Sequence, residues 1–150
     1  MRFRTIKDII DWTRAFHDAL AAQYESLAVG HEQERAGLLL QYLSHHERTL
    51  SAALQHYEED QEHLLLKKWY APDLPLPEDL STLCRKLERV DTSGVLAMAL
   101  QFHDLLIDLY ANLSSHAPNE EIKTLFESIS NQETRDKLKT VRDAVRLEDI

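Results

Sequence analysis

The sequence predicts an all-α protein, a bundle of four helices built from two similar hairpins. Three observations predict this fold. Of the 150 residues only 3 are Gly and 4 are Pro, whereas 43% are hydrophobic, a composition that favours long helices over turn-rich β structure. Apolar residues recur with helical spacing along four segments of the chain. The first pair of segments is similar to the second pair, which indicates an internal duplication.

The duplication has a constant offset of 86 residues. The segment FHDALAAQYESL at 16–27 corresponds to FHDLLIDLYANL at 102–113, and the same offset relates LLQYLSHHE at 39–47 to LFESISNQE at 125–133 without a gap. The residues that recur in the first pair are Phe16/Phe102, His17/His103, Asp18/Asp104, Leu20/Leu106, Tyr24/Tyr110 and Leu27/Leu113. We therefore expect a single domain over 1–150, with two hairpins around a pseudo-twofold axis.

The first hairpin is predicted over 5–69. Its first helix begins at Thr5, which forms a capping-box pattern with Asp8, and ends before Gly30. The predicted inner face of this helix is Ile6, Ile10, Thr13, His17, Leu20, Tyr24 and Leu27. The second helix begins near Glu32, and the sequence leaves open whether it is continuous to Trp69. Its predicted inner face is Leu39, Tyr42, Leu43, His46, Leu50, Ala53, Leu54 and Tyr57.

Residues 70–91 are predicted to form a long crossover between the hairpins. Three prolines within 72–77 prevent a regular helix there, and Pro77 is then suited to open a short one. A connection of this length runs along a bundle rather than turning tightly between neighbours. The chain's one cysteine, Cys84, lies in this short helix, where we expect a half-buried thiol.

The second hairpin is predicted over 92–148. The predicted inner face of its first helix is Leu96, Ala99, His103, Leu106, Ile107, Tyr110 and Leu113, and that of its last helix is Leu125, Ile129, Gln132 and Asp136. Leu138, Val141 and Val145 fall on the opposite side of the last helix. This second apolar stripe predicts an interface, and we expect a homodimer.

Charge and apolar content exclude several classes of protein. A net charge of -9 and a pI near 5.3 disfavour binding to nucleic acids or to anionic membranes. The sequence has no run of eighteen apolar residues and no signal-peptide pattern, and a single cysteine excludes an intrachain disulfide. We therefore expect a cytoplasmic protein without a transmembrane helix.

The duplicated hairpins, with His17 and His103 seven residues before Tyr24 and Tyr110, resemble the ferritin-like superfamily, which includes bacterioferritin and rubrerythrin. In that superfamily helix 1 carries a metal-binding Glu seven residues before a Tyr. The resemblance covers the bundle but not the crossover or the C-terminal tail. It implies a ferritin-like four-helix bundle of two hairpins joined by a long crossover that contains a short helix.

The ligand positions depart from the family pattern. Helices 2 and 4 of the family carry Glu-x-x-His, whereas here Glu47 is followed by Leu50 and Glu133 by Asp136. The helical wheel places Glu47 and Glu133 at the flanks of their helices and points His46 and Gln132 inward. We therefore expect the usual di-iron ligands to be lost, and we predict no catalytic residue.

The inner layer offers a different candidate site. His17, His46, His103 and Gln132 are one residue from each helix, with Asp136 one turn further on. Converging imidazoles suit a mononuclear zinc, nickel, copper or iron site. The alternative is a buried hydrogen-bond network, with Tyr24 and Tyr110 as a second layer. If the histidines are buried and neutral, folding should weaken as pH falls toward imidazole protonation.

Several functions remain open at this point. The preferred hypothesis is a non-catalytic binding or regulatory module. The alternative hypothesis is a metal-binding protein with a histidine-rich mononuclear site in the bundle core. A residual iron-dependent oxidoreductase is a weaker possibility. A hemerythrin-like protein, suggested by His17-Asp18 and by His56 with Asp60, ranks lower because hemerythrins lack this duplication. The sequence identifies no small-molecule ligand.

Overall fold

The computed structural model describes residues 4–29, 34–60, 63–68, 70, 85 and 92–148, which form helices without any strand. The elements are α1 (Ile6–Val29), α2 (Glu34–Asp60), α3 (His63–Leu66), α4 (Thr92–Ser115) and α5 (Glu120–Glu148). The predicted all-α four-helix bundle is confirmed, with α3 as a short addition. Of the predicted crossover helix only Arg85 is described, in helical conformation, and Cys84 lies outside the described residues.

Side chains at the helix starts explain where α1 and α5 begin. The Asp8 N–H donates to Thr5 Oγ1 at 3.2 Å, and the Thr5 N–H donates to Asp8 Oδ2 at 3.1 Å, so the predicted capping box is confirmed. Asn119 Oδ1 accepts from the Ile122 N–H at 3.0 Å and caps α5 in a similar way. These bonds satisfy amides that have no partner inside a helix.

The end of the first hairpin is tied back to the bundle. The second helix ends at Asp60, and the short α3 follows it. The Tyr70 N–H then donates to the Arg4 carbonyl at 2.9 Å, and the Tyr70 hydroxyl donates to the Leu113 carbonyl at 2.7 Å. These two bonds fix the start of the crossover between the beginning of α1 and the end of α4.

The two hairpins pack through their duplicated residues. Along their length α1 contacts α2 and α4 contacts α5, and α2 also touches α5. Between the hairpins the rings of Phe16 and Phe102 meet edge to face at 6.0 Å, and both are buried. Complete burial of a side chain of this size contributes about 1.5–3 kcal/mol. The two rings are equivalent under the offset of 86, so they lie where the pseudo-twofold axis should pass.

The predicted inner faces of α1, α2 and α4 are largely confirmed. Ile6, Ile10, Thr13, His17, Leu20 and Tyr24 are buried on α1, and Ala99, His103, Leu106, Tyr110 and Leu113 are buried on α4. On α5 the prediction is partly wrong, because Gln132 is exposed while Ile122, Phe126, Glu133, Thr140 and Ala144 face the core. The face that α5 buries is therefore turned by about one residue from the predicted one.

Helix α4 is the most apolar of the four long helices. An 18-residue window within Gly94–Ser115 has a mean hydropathy of 1.2, and by length and composition alone this helix could cross a membrane. Its buried face carries His103 into the bundle, and Asp104 and Asp108 are exposed on its other side. Since core helices meet the same criterion, we interpret α4 as a core helix.

Candidate functional site

Four buried ionisable residues, one from each long helix, meet in the middle of the bundle. They are His17 of α1, Glu47 of α2, His103 of α4 and Glu133 of α5, with exposed fractions of 0%, 2%, 1% and 3%. The offset of 86 relates His17 to His103 and Glu47 to Glu133. The site therefore consists of one histidine and one glutamate from each hairpin, arranged about the pseudo-twofold axis.

The hydrogen bonds follow this symmetry within the hairpins and break it between them. His17 Nδ1 bonds the Glu47 carboxylate, and His103 Nδ1 bonds Glu133 Oε2 at 3.2 Å. His17 Nε2 also contacts Glu133 Oε1 of the other hairpin at 3.0 Å. The reciprocal contact of His103 is not formed, since its Nε2 is buried without a hydrogen-bond partner in the described part of the chain.

The charges of the site make His17 a cation. Burial alone would lower the pKa of His17, but the carboxylates of Glu47 and Glu133 raise it to about 10. Burial alone would raise the pKa of Glu133, but the charge of His17 and bonds from both histidines lower it to about 2. An imidazolium can donate from both nitrogens, and His17 has a carboxylate at each. The conditional prediction made for neutral buried histidines therefore does not apply to His17.

His46 belongs to the inner layer but not to the ion pairs. Its Nε2 lies 3.0 Å from Thr140 Oγ1, and the Thr140 hydroxyl donates to the Asp136 carbonyl at 2.9 Å, so His46 is the donor of its bond. Its ring meets that of His103 at 5.5 Å. Burial lowers the pKa of His46, so this residue fits the expectation of a neutral buried histidine.

Asp136 and Gln132 border a small cavity beside Glu133. The cavity has a volume of about 10 Å³, close to the room that one water molecule needs, and it is also lined by Leu50. Gln132 reaches it from an exposed position, whereas Asp136 is half-buried and its Oδ2 has no partner among the described residues. Burial and the charge of Glu133 raise the pKa of Asp136. Asp136 thus lies near the site, while the inward orientation predicted for Gln132 is wrong.

The tyrosines predicted as a second layer lie deep in the bundle. Tyr24 and Tyr110 are both 0% exposed. Burial and the charge of Glu133 raise the pKa of Tyr110 well above its usual 10, so its hydroxyl stays protonated. Tyr42 lies further out, where its hydroxyl donates to Asp143 Oδ2 at 2.9 Å.

Glu47 and Glu133 are the residues that the wheel missed, since it placed both at the flanks. A signal for them was present in the duplication. Glu47 and Glu133 are identical at equivalent positions, whereas His46 is matched by Gln132. A residue type kept in both copies of a pseudo-symmetric site is the stronger candidate for its centre.

The hemerythrin-like alternative is not supported by the placement of its residues. His56 has a side chain that is 78% exposed and lies 3.5 Å from Glu59 on the same helix. His45 is also exposed. Neither histidine reaches the inner layer.

The ligand atoms of the site face one another rather than a common point. Within the described residues no group of three or more His, Cys, Asp or Glu side chains is placed to hold a metal ion. The imidazole of His17 lies between the two glutamates instead. In this arrangement three histidine–glutamate contacts hold the four side chains together.

Comparison with known proteins identifies the fold. No protein-family model matches the chain, and no curated protein does. Among solved structures, the chain is similar to the crystal structure of a protein from Thermotoga maritima described as a ferritin-like diiron-carboxylate protein. The two share 17% sequence identity over 95% of each chain, with a TM-score of 0.62. The resemblance inferred from the duplicated hairpins is therefore confirmed, and this chain has the ferritin-like fold.

Proposed function

We propose that this protein is a non-catalytic ferritin-like module for binding or regulation, in which the imidazolium of His17 serves as the central cation of the bundle. One observation carries the proposal. Both nitrogens of His17 contact carboxylates, Glu47 from its own hairpin and Glu133 from the other. The histidine thereby links the two halves of the duplicated bundle.

The argument rests on the cost of buried charge. Two carboxylates that are 2% and 3% exposed require a positive partner, because an unpaired buried charge is strongly destabilising. In a diiron-carboxylate protein the metal ions supply that charge. Here a protein side chain can supply it, since the pKa of His17 lies at about 10.

The donor set does not match a carboxylate-rich centre for two metals. By its spacing to Tyr24, His17 corresponds to the helix 1 glutamate of the superfamily, and His103 is its equivalent under the offset of 86. Leu50, three residues after Glu47, has no ligand atom at all. We therefore derive no oxidative chemistry for this chain from its likeness to a diiron-carboxylate protein.

The protonation state of His17 tests the proposal. In chelator-treated protein labelled with nitrogen-15 at histidine, both His17 nitrogens should have the chemical shifts of an imidazolium at pH 8. Glu47→Gln should lower the pKa of His17, whereas His45→Gln, one helical position from the inner layer, should leave it unchanged. A neutral His17 at pH 8 would contradict the proposal.

A second candidate function, a mononuclear metal site, is favoured by two buried atoms without partners. His103 Nε2 and Asp136 Oδ2 both lack a hydrogen bond among the described residues. His103 contacts Glu133 through Nδ1, and an imidazole that donates to a carboxylate in this way presents its other nitrogen to a metal. His103, Glu133 and Asp136 are not placed to hold an ion in this arrangement, so their side chains would have to move to bind one. A bound divalent ion would supply Lewis acidity to the core.

Elemental analysis separates the two candidates. The protein should be purified without a metal-affinity tag or chelator, as wild type, Asp136→Leu and the exposed control His45→Leu. The first proposal expects no stoichiometric metal in any of them. Stoichiometric metal in wild type and His45→Leu that disappears in Asp136→Leu would favour the second candidate and identify the element.

A further inference from the structure

The outward face of the second hairpin is apolar where the first hairpin is polar. Leu138, Val141 and Val145 lie on one side of α5, with exposed fractions of 65%, 38% and 51%. Their equivalents on α2 under the offset of 86 are Ala52, Gln55 and Glu59. Since the first hairpin forms the same helix with these residues, the fold does not require apolar residues at these positions.

An open groove lies further along the second hairpin, toward the start of α5. It has a volume of about 780 Å³ and lies between the end of α4 and the start of α5. Its lining includes Ala111, Ser114, Ser115, Lys123, Glu127 and Ser130. Of these, Lys123 and Glu127 share the side of α5 that carries Leu138, Val141 and Val145, because helical positions four and seven apart lie together.

The first hairpin fills the corresponding place with an ion pair. Glu25 and Arg48 are equivalent to Ala111 and Thr134. Arg48 Nε donates to Glu25 Oε1 at 2.7 Å, and the hydroxyl of Ser44, equivalent to Ser130, donates to the same oxygen at 2.9 Å. Small residues replace this α1–α2 bridge in the second hairpin and leave its groove open.

We propose that a second copy of this chain docks on this face, antiparallel, with the stripe of Leu138, Val141 and Val145 from each copy in the groove of the other. The α5 part of the groove spans 120–131 and the stripe is centred near Val141. At 1.5 Å per residue their centres are about 24 Å apart, and Thr134 lies near the midpoint. A twofold axis near Thr134 therefore exchanges groove and stripe, as a closed dimer requires.

The charges of α5 support this antiparallel arrangement. Segment 135–146 has five basic and two acidic residues, whereas the rest of the chain has 12 basic and 24 acidic residues. Within this segment Asp143 is already bonded to the Tyr42 hydroxyl, Asp136 is half-buried, and Lys137 is paired with Asp104. The start of α5 instead exposes Glu120 and Glu127 on this side, together with Lys123, whereas Glu121 is paired with Lys68. Antiparallel docking places the basic half of each helix over the acidic half of the other, so the surface complements itself.

The available area fits a stable dimer. A helix of 29 residues is about 43 Å long, and a face two helices wide measures about 20 Å across. Such a face offers on the order of 800 Å² per copy, which is the usual contribution of each partner to a specific interface.

Sedimentation velocity over a concentration series tests the docking with a matched pair of variants. Wild type should dimerise, and Val141→Glu should raise the dimer Kd at least about 100-fold, because the charge is buried twice in a symmetric dimer. Gln55→Glu introduces the same side chain at the equivalent position of the first hairpin and should leave Kd unchanged. A monomeric wild type, or a Val141→Glu protein that dimerises like wild type, overturns the proposal.

Charge reversal tests the antiparallel register. One variant carries Glu120→Arg and Glu127→Arg, and the other carries Arg142→Glu and Arg146→Glu. Each alone should dimerise at least about tenfold more weakly than wild type, while an equimolar mixture should form a heterodimer as tight as wild type, because both reversed contacts are then complementary. A mixture no tighter than the separate variants overturns the antiparallel arrangement.

Discussion

The two hairpins are alike in their internal histidine–glutamate hydrogen bonds and differ in the contacts that they make beyond them. Each pairs a histidine with a glutamate 30 positions further along the chain, His17 with Glu47 and His103 with Glu133. Only His17 also reaches the opposite hairpin, through Glu133. The duplication has thus kept the histidine–glutamate pairing inside each hairpin, while the histidine–glutamate contact between the hairpins comes from His17 alone.

Neighbouring positions show how the asymmetry arises. Leu50 and Asp136 are equivalent under the offset of 86, so the second hairpin has an additional carboxylate where the first has an apolar side chain. His103 keeps one nitrogen without a partner among the described residues, as does one oxygen of Asp136. The first hairpin therefore supplies the buried imidazolium of His17. The second hairpin supplies two polar atoms, on His103 and Asp136, that have no hydrogen-bond partner among the described residues.

The largest expected effect is the loss of His17. His17→Gln leaves Glu47 and Glu133 buried without their cation, and we expect the free energy of unfolding to fall by about 3–5 kcal/mol. His103→Gln removes one bond to a carboxylate and should cost about 1.5–3 kcal/mol. Urea unfolding of both variants, with His45→Gln as the exposed control, measures the contrast. Equal losses at His17 and His103 would show that the hairpins contribute equally.

The pH dependence of stability should show the same asymmetry. The folded pKa of His17 is raised from 6.5 to about 10, so its stabilisation is complete below pH 6.5 and is lost as pH rises through about 10. The difference in unfolding free energy between wild type and His17→Gln should shrink by about 1.4 kcal/mol per pH unit within this window. A difference that stays constant from pH 6 to pH 10 would argue against a buried imidazolium.

Two other groups act at lower pH. Glu133, with its pKa lowered from 4.5 to about 2, contributes stability above pH 4.5 that is lost as pH falls through about 2. Burial lowers the pKa of His46, so the folded state favours the neutral imidazole. The contribution of His46 to the stability of the fold therefore weakens as pH falls below 6.5. Because the charge of His17 helps to lower the pKa of Glu133, His17→Gln changes the contribution of Glu133 as well. The comparison of wild type with His17→Gln is therefore made between pH 6.5 and pH 10, above the range in which Glu133 and His46 titrate in the wild type.

The sequence predicted the helices and half of the site. The capping box of Thr5 and Asp8 is a local interaction, so the start of α1 could be read within one residue. His17 and His103 could be predicted because they recur, at the offset of 86, beside apolar residues that are the same in both hairpins. The duplicated residues thus identified the hairpins and two of the four central side chains.

The carboxylates could not be placed from local pattern. His46 and Glu47 are adjacent, and adjacent residues on a helix differ by about 100°, so both lie near the edge of the apolar face. Hydrophobic periodicity favours the imidazole at the inner position. The burial of Glu47 instead depends on the bond to His17, 30 residues away in sequence, and a helical wheel contains no such contact.

Asp136→Leu gives the second hairpin the same residue that the first hairpin has at the equivalent position, Leu50. The substitution removes a half-buried carboxylate whose Oδ2 lacks a partner among the described residues and whose pKa is raised by burial. We expect a gain of about 1 kcal/mol in chelator-treated protein by urea unfolding. Gln132→Ala, at an exposed neighbour on the same cavity, should have no effect. A loss of stability on Asp136→Leu would indicate that the carboxylate holds a partner.

The smallest expected effect concerns the outer ion pair of the first hairpin. The side chains of Arg48 and Glu25 are 49% and 50% exposed, so solvent screens their attraction, and Arg48→Thr should leave the urea midpoint unchanged. The reverse substitutions, made in the second hairpin, test whether the open groove is the docking surface. Ala111→Glu with Thr134→Arg reproduces the bridge in the second hairpin, fills its groove, and should abolish the dimer without destabilising the monomer. If sedimentation velocity showed an intact dimer in that double variant, the open groove would not be the docking surface. The groove that distinguishes the second hairpin from the first would then have no role in dimerisation.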